Sequence, residues 1–169
     1  MPAYVVGVLN AGRRRGVIDI RIYASIKFTG LQLYPDSPPA ARYILHIPNN
    51  IDNIVRLDPM ETPYRLVQLD LITAVRGASA GIATLLDRYN VAVESESLLE
   101  DLLSLGKAAY LKVDLLCHDE WSGARKHYES IRYGLDDIVL GKFEHRGRDL
   151  VIVSDPASSS AESDATEGQ

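Results

Sequence analysis

The chain has 169 residues, of which 46% are hydrophobic and 24% are charged, with a formal net charge of −5. This length and composition predict one globular domain, or two small ones that share a sheet, and they exclude a positive field over the whole chain. The apolar runs are too short for a membrane-spanning helix, and a single cysteine, Cys117, excludes an internal disulfide or a cysteine-based zinc site.

The two ends of the chain differ from its middle. The first residues lack a basic region followed by an apolar run, so we expect no signal peptide and a cytoplasmic location. Residues 155–169 are rich in Ser, Ala, Glu and Asp and include four carboxylates. The whole chain has a net charge of −5, whereas the chain without this segment would have a net charge of about −1. Because such a segment buries little apolar surface, we predict a disordered acidic tail at 155–169.

Residues 1–57 are predicted to form a β-rich N-terminal part. The strongest signal is the alternation from Val17 to Phe28, which places Ile18 and the later isoleucines on one face and charged residues on the other. Shorter apolar runs predict three more strands, and Arg13–Arg15 lies in a glycine-flanked turn after the first of them. Residues 58–63 contain two prolines and predict a linker. The three shorter strands are Tyr4–Leu9, Tyr43–Ile47 and Ile51–Leu57.

Residues 64–154 are predicted to form a domain in which helices and strands alternate. A strand at Arg65–Val75 precedes a helix that Ser79 would cap and Asn90 would end. The segment Ser97–Glu100 matches a capping box, which predicts an additional short helix. The remaining predicted elements are a strand at Val91–Val93, the helix at Leu98–Leu105, a strand at Ala108–Leu116, a helix from Asp119 to Leu135 that carries Trp121 on its apolar stripe, and strands at Val139–Phe143 and Leu150–Val153.

This order is that of a ferredoxin-like βαββαβ fold, and residues 76–93 resemble the first loop and helix of an ACT domain. Gly77 matches the loop glycine of that family, Asn90 matches the glycine that ends the helix, and Val91 and Val93 match the apolar strand. Two positions depart from the pattern: Arg76 stands where the family often has proline, and Ala92 stands at the asparagine that touches the ligand. The predicted fold class is therefore α+β, with an ACT-like C-terminal part.

The resemblance implies a non-catalytic regulatory protein that senses a small anionic metabolite, an amino acid among others, at the interface of a homodimer or larger assembly. Main-chain amides at a helix N-terminus suit a carboxylate or phosphate. The resemblance implies no cofactor, and a purely structural role for Gly77 stays open. The candidate ligand-binding residues are Arg76, Gly77, Ala78, Ser79, Ala80 and Ala92.

Other residue clusters give alternative hypotheses. Residues 117–120 are Cys, His, Asp and Glu, but consecutive residues point in different directions, so we interpret them as a polar helix start and predict no metal site. Arg13–Arg15 suits phosphate, which suggests an RNA- or protein-binding adaptor, although the near-neutral charge disfavours nucleic acid. We predict no catalytic residue because Gly-x-Ser-x-Gly, P-loop and dinucleotide motifs are missing, while an α/β enzyme without such a motif stays open.

Overall fold

The computed structural model describes residues 3–12, 14–32, 36, 38, 42–51, 53–59, 64–106, 108–147 and 149–153. The predicted tail at 155–169, Arg13 and most of the predicted linker lie outside these residues. In the described part, no helix is long and apolar enough to cross a membrane. The elements are β1 (Tyr4–Val8), β2 (Val17–Thr29), β3 (Arg42–Ile47), β4 (Ile54–Leu57), β5 (Arg65–Leu69), α1 (Leu71–Arg76), α2 (Ala80–Arg88), α3 (Leu98–Leu103), β6 (Tyr110–Asp119), β7 (Arg125–Glu129), a 3-10 turn (Leu135–Asp137), β8 (Lys142–Arg146) and β9 (Asp149–Val153).

The long strand β2 is the centre of the main sheet. Along one edge its second half pairs with β3 and its first half pairs with β4, while its other edge pairs with β6. Strand β7 extends the sheet beyond β6, and all of these pairings are antiparallel. The remaining strands form two antiparallel pairs, β1 with β5 and β8 with β9.

The two faces of the main sheet have different surroundings. Ile20, Ile22, Ile26 and Phe28 of β2 are buried in a single core that also contains residues of all three helices. The predicted alternation therefore holds from Ile20 onward. A β-bulge interrupts β2 before that point, where Asp19 has a φ of 50°, and it places Ile18 opposite His118 on the polar face. Ile18 therefore does not share a face with the later isoleucines of β2, contrary to the predicted alternation.

The predicted ferredoxin-like βαββαβ fold is wrong. Of the described residues, 44% lie in strands and 18% in helices, the sheets are antiparallel, and α2 is the only described helix of seven or more residues. One cause is Asp70, whose side chain accepts hydrogen bonds from Thr73 N at 3.0 Å and Thr73 Oγ1 at 2.6 Å. This N-cap begins α1 in the middle of the predicted strand Arg65–Val75, so two helices meet where a strand and a helix were expected.

A second cause is the tight turn that follows β6. Gly123 adopts a φ of 65°, and its N–H donates to the carbonyl of Asp119 at 2.8 Å. Glycine takes this left-handed conformation with little strain, so the chain reverses into β7 and does not form the predicted helix from Asp119 to Leu135. The predicted strand Val91–Val93 is also absent from the described elements, whereas α3 covers most of the predicted helix Leu98–Leu105.

Gly106 and Gly123 both have a positive φ, and together they test how closely Gly106 packs against the end of β2. Gly106 has a φ of 71°, and a Cβ added there would lie 2.5 Å from the carbonyl oxygen of Thr29, whereas a Cβ at Gly123 would meet no atom within 4 Å. We expect Gly123→Ala to lower the free energy of unfolding by about 1 kcal/mol through backbone strain alone. Gly106→Ala should lower it by roughly 3 kcal/mol, since the clash adds to the strain. Urea unfolding measures both, and equal losses would contradict the packing of Gly106 against β2.

Candidate functional site

The β1–β2 loop and the β6–β7 turn meet at one end of the main sheet. Val17 lies opposite Asp119, and Glu120 N donates to Gly16 O at 3.3 Å. Between the two segments is a cavity of about 470 Å³, which we call the basic groove because three cationic side chains line it against one carboxylate. Its lining residues are Asn10, Gly12, Arg14, Arg15, Val17, Asp119, Lys126 and Tyr128.

Asn10 holds the loop that carries the arginines. Its Nδ2 donates to the carbonyl oxygens of Arg15 and Leu57, each at 3.0 Å. Its Oδ1 accepts a hydrogen bond from Gly12 N at 3.0 Å. In turns, an asparagine side chain commonly forms the hydrogen bonds that a backbone group would otherwise form. The side chain of Asn10 therefore links the backbone of Arg15 to the end of β4.

Asp119 organises the opposite wall of the groove. Its side chain is 2% exposed, and Oδ2 lies 3.6 Å from Lys126 Nζ and 4.0 Å from Arg15 Nη1. Its Oδ1 accepts hydrogen bonds from the N–H and hydroxyl of Ser122 at 2.9 and 3.0 Å, and from Trp121 N at 3.1 Å. The bonds from Ser122 and Trp121, with the charge of Lys126, lower the pKa of Asp119 to about 2. The carboxylate is therefore ionised at neutral pH and orients both cations.

Two exposed aromatic rings accompany these charges. Trp121 is 72% exposed and Tyr128 is 49% exposed. The Arg15 guanidinium carbon lies 5.6 Å from the centre of the Trp121 ring, within the range of a cation–π contact. Flat aromatic faces next to cations suit a ligand that combines a planar ring with negative charge.

The electrostatic balance of the basic groove is positive. Arg14 has no carboxylate within ion-pair distance in the described part of the chain, and Asp119 is shared between Arg15 and Lys126. The whole chain carries −5, so the positive charge is local. A concave surface with one sign of charge concentrates ions of the opposite sign. The groove therefore favours anions.

The residues predicted as a ligand site lie elsewhere, around the α1–α2 corner. Gly77 ends α1 and donates from its N–H to Thr73 O at 2.9 Å, and Ala78 N donates to Val75 O at 3.3 Å. These two amides are thus bonded within the chain. Ser79 caps α2, as predicted, through a hydrogen bond from Ile82 N to its Oγ at 3.5 Å.

The remaining predicted residues flank this corner. Arg76 forms an exposed ion pair with Glu94 at 3.4 Å, Ala80 is the first residue of α2, and Ala92 belongs to the segment between α2 and α3. The strand–loop–helix junction that supported an anion site here is therefore replaced by a helix–helix corner. Binding of an amino acid at these residues stays a prediction.

The four consecutive potential metal ligands separate onto different surfaces. Cys117 is 2% exposed in the core, and burial raises the pKa of its thiol. His118 lies on the opposite face of β6, with Nδ1 at 3.6 Å from Asp19 Oδ2. Glu120 pairs with Arg56 of β4. Of the four, only Asp119 lines the basic groove.

The sequence did not indicate that Lys126, Trp121 and Tyr128 lie near Arg14 and Arg15 of the β1–β2 loop. The error follows from the predicted helix over Asp119–Leu135, in which Trp121 and Tyr128 belong to an apolar stripe. The usable signal was the dipeptide Ser122-Gly123 directly after an alternating strand, because Ser-Gly marks a turn.

The largest described cavity, of about 1000 Å³, lies between β1, α3 and the β8–β9 hairpin. Its lining is mainly apolar, and at its rim Tyr4 Oη donates to Glu100 Oε2 at 2.6 Å. Burial, and then this hydrogen bond, raise the pKa of Tyr4 to about 12. The pKa of Tyr4 is raised and the pKa of Asp119 is lowered, so both values lie further from 7 than the ordinary ones. Neither group is therefore suited to proton transfer near pH 7.

No protein-family model matches this chain, and no curated protein matches it. The basic groove combines three cationic side chains, the exposed ring of Tyr128 and the buried carboxylate of Asp119, and the exposed ring of Trp121 lies next to Arg15.

The depressed pKa of Asp119 predicts a specific pH dependence of stability. The folded value of about 2 lies below the ordinary 3.8, so Asp119 stabilises the fold above pH 3.8, and this contribution is lost as the pH falls toward 2. We expect Asp119→Asn to have a lower Tm than the parent at about pH 6, and the difference to shrink by about pH 2. Asp87→Asn, an exposed position on α2, is the control. A pH-independent difference in Tm would contradict the role assigned to the carboxylate.

Proposed function

We propose that this protein binds a nucleoside phosphate without converting it, either as a free nucleotide or as a unit of single-stranded RNA. The observation that carries the proposal is the basic groove, which is lined by Arg14, Arg15, Lys126 and the exposed ring of Tyr128. The exposed ring of Trp121 does not line the groove but lies next to Arg15. Cations that contact phosphate together with rings that stack on bases are the usual means of binding single-stranded nucleic acid.

The phosphate is assigned to the cationic wall. Arg14 and Arg15 present planar guanidinium groups that can donate two hydrogen bonds to one phosphate, and Lys126 supplies a compact charge. Asp119 reduces the positive charge of this wall without cancelling it, because three cations face one carboxylate. The same carboxylate orients Arg15 and Lys126, which lowers the entropy lost when a phosphate binds.

The base is assigned to Trp121. Its indole is 72% exposed, so apolar ring surface lies in water. Stacking of one base on an aromatic side chain is worth about 1–3 kcal/mol. The Arg15 guanidinium near the same ring would place the phosphate and the base of one nucleotide within reach of adjacent side chains.

This proposal keeps part of the function expected from the sequence. Non-catalytic sensing of a small anionic metabolite is retained, but the candidate site is now the basic groove and no ACT-like domain is involved. The segment Arg13–Arg15, which suggested an RNA- or protein-binding adaptor, contributes Arg14 and Arg15 to the basic groove. An amino acid as the effector, a homodimeric assembly and a cytoplasmic location stay predictions.

Trp121, the single tryptophan of the chain, gives a direct readout. We expect AMP or ATP, or a labelled single-stranded RNA, to change its fluorescence in a saturable way. If two or three phosphates contact the groove, RNA affinity should fall roughly tenfold between about 50 and 200 mM salt. A change with RNA alone identifies a polymer ligand, and a change with mononucleotides identifies a free nucleotide. No saturable change with any of them at low salt would contradict the proposal.

Single-charge variants locate the binding surface. Arg14→Ala and Lys126→Ala should each weaken binding by about 3- to 10-fold, because each removes one phosphate contact. Arg65→Ala, which removes an exposed charge from β5 outside the groove, should leave the affinity unchanged. An equal loss in all three variants would mean that nonspecific charge attraction explains the binding.

A further inference from the structure

A second cluster of functional side chains lies on the polar face of the β6–β7 pair. Asp114 of β6 is directly opposite Glu129 of β7, and His127 lies on the same face two residues before Glu129. One potential ligand atom from each of these three residues lies within 4.8 Å of the others. Two carboxylates opposite each other repel, so this arrangement favours a cation between them.

The carboxylate of Asp114 has an unsatisfied atom. Its Oδ1 is inaccessible to water and has no hydrogen-bond partner, the only such side-chain atom in the described residues. His127 Nε2 lies 3.6 Å from this oxygen, and the Asp114 side chain as a whole is 29% exposed, so an ion could reach it from solvent. Buried polar atoms without partners are rare in native proteins, and a bound ion is one of the explanations for them.

We infer that Asp114, His127 and Glu129 bind a divalent transition-metal ion, with zinc as the first ion to test. Zinc binds nitrogen and carboxylate oxygen at about 2.0–2.2 Å, so two ligands of a tetrahedral site lie about 3.4 Å apart. The 3.6 Å between Asp114 Oδ1 and His127 Nε2 is close to that spacing. Three protein ligands would leave one position for water or another ligand.

Lys112 is the competitor that this site must accommodate. Its Nζ lies 2.5 Å from Glu129 Oε2, and it lowers the pKa of Glu129. A bound ion must therefore either displace this lysine or share the carboxylate of Glu129 with it. On the other side of β6, Tyr23 of β2 lies opposite Asp114. Removal of the lysine should strengthen metal binding.

Calorimetric titration of the full chain with zinc alone tests the inference. We expect one zinc ion per chain, an affinity lowered about tenfold or more by Asp114→Asn or His127→Ala, and a tighter complex in Lys112→Met. His118→Ala, on the same face of β6 but outside the cluster, should bind like the parent. Magnesium should bind more weakly, since imidazole favours zinc over magnesium.

Several results would overturn the site. They are the absence of saturable zinc uptake, an unchanged affinity in His127→Ala, and a loss in His118→Ala as large as that in His127→Ala. Circular dichroism shows whether each variant is folded, and Glu129→Gln replaces any ligand variant that is not. No nucleotide is present in this titration, so its outcome is independent of the basic groove.

Discussion

The basic groove depends on the interactions of one buried carboxylate, that of Asp119. One of its oxygens accepts three hydrogen bonds from the β6–β7 turn, and the other faces Lys126 and Arg15 from two different segments. Because the turn amides stabilise the negative charge, two cations can be held near one another at the surface. Without this carboxylate, Arg15 and Lys126 would repel across the groove.

Strand β2 provides the scaffold for both candidate sites. Its pairing with β6 sets Val17 against Asp119, which brings the arginine loop to the β6–β7 turn. The same strand β6 carries Asp114 in its middle and pairs with β7, so the proposed metal ligands and the basic groove are both built on the β6–β7 hairpin. The three helices pack against the apolar face of β2, and the buried side chains of β2 and the helices form one core.

The sequence allowed the parts of this fold that depend on local patterns to be predicted. The alternation of β2 from Ile20, the N-cap at Ser79 and the short helix α3 all follow from spacings within a few residues. The bulge at Asp19 and the N-cap at Asp70 were not predicted. At each position the conformation of one polar residue interrupts a strand that the neighbouring apolar residues predict.

The sites were less accessible from the sequence than the strands. Asp114 and Glu129 become neighbours only through antiparallel pairing, and no local spacing shows that register. Trp121 and Tyr128 fit a helical stripe as well as a hairpin, and Gly123 decides between the two by taking a left-handed conformation.

The most direct measurement is a two-dimensional amide NMR titration of the full chain with AMP. If Asp119 joins the two segments into one binding site, the ligand-induced shifts should concentrate in residues 10–17 and 119–128, and Asp119→Asn should abolish them in both segments together. Shifts confined to residues 76–80, or shifts that persist unchanged in Asp119→Asn, would contradict this account.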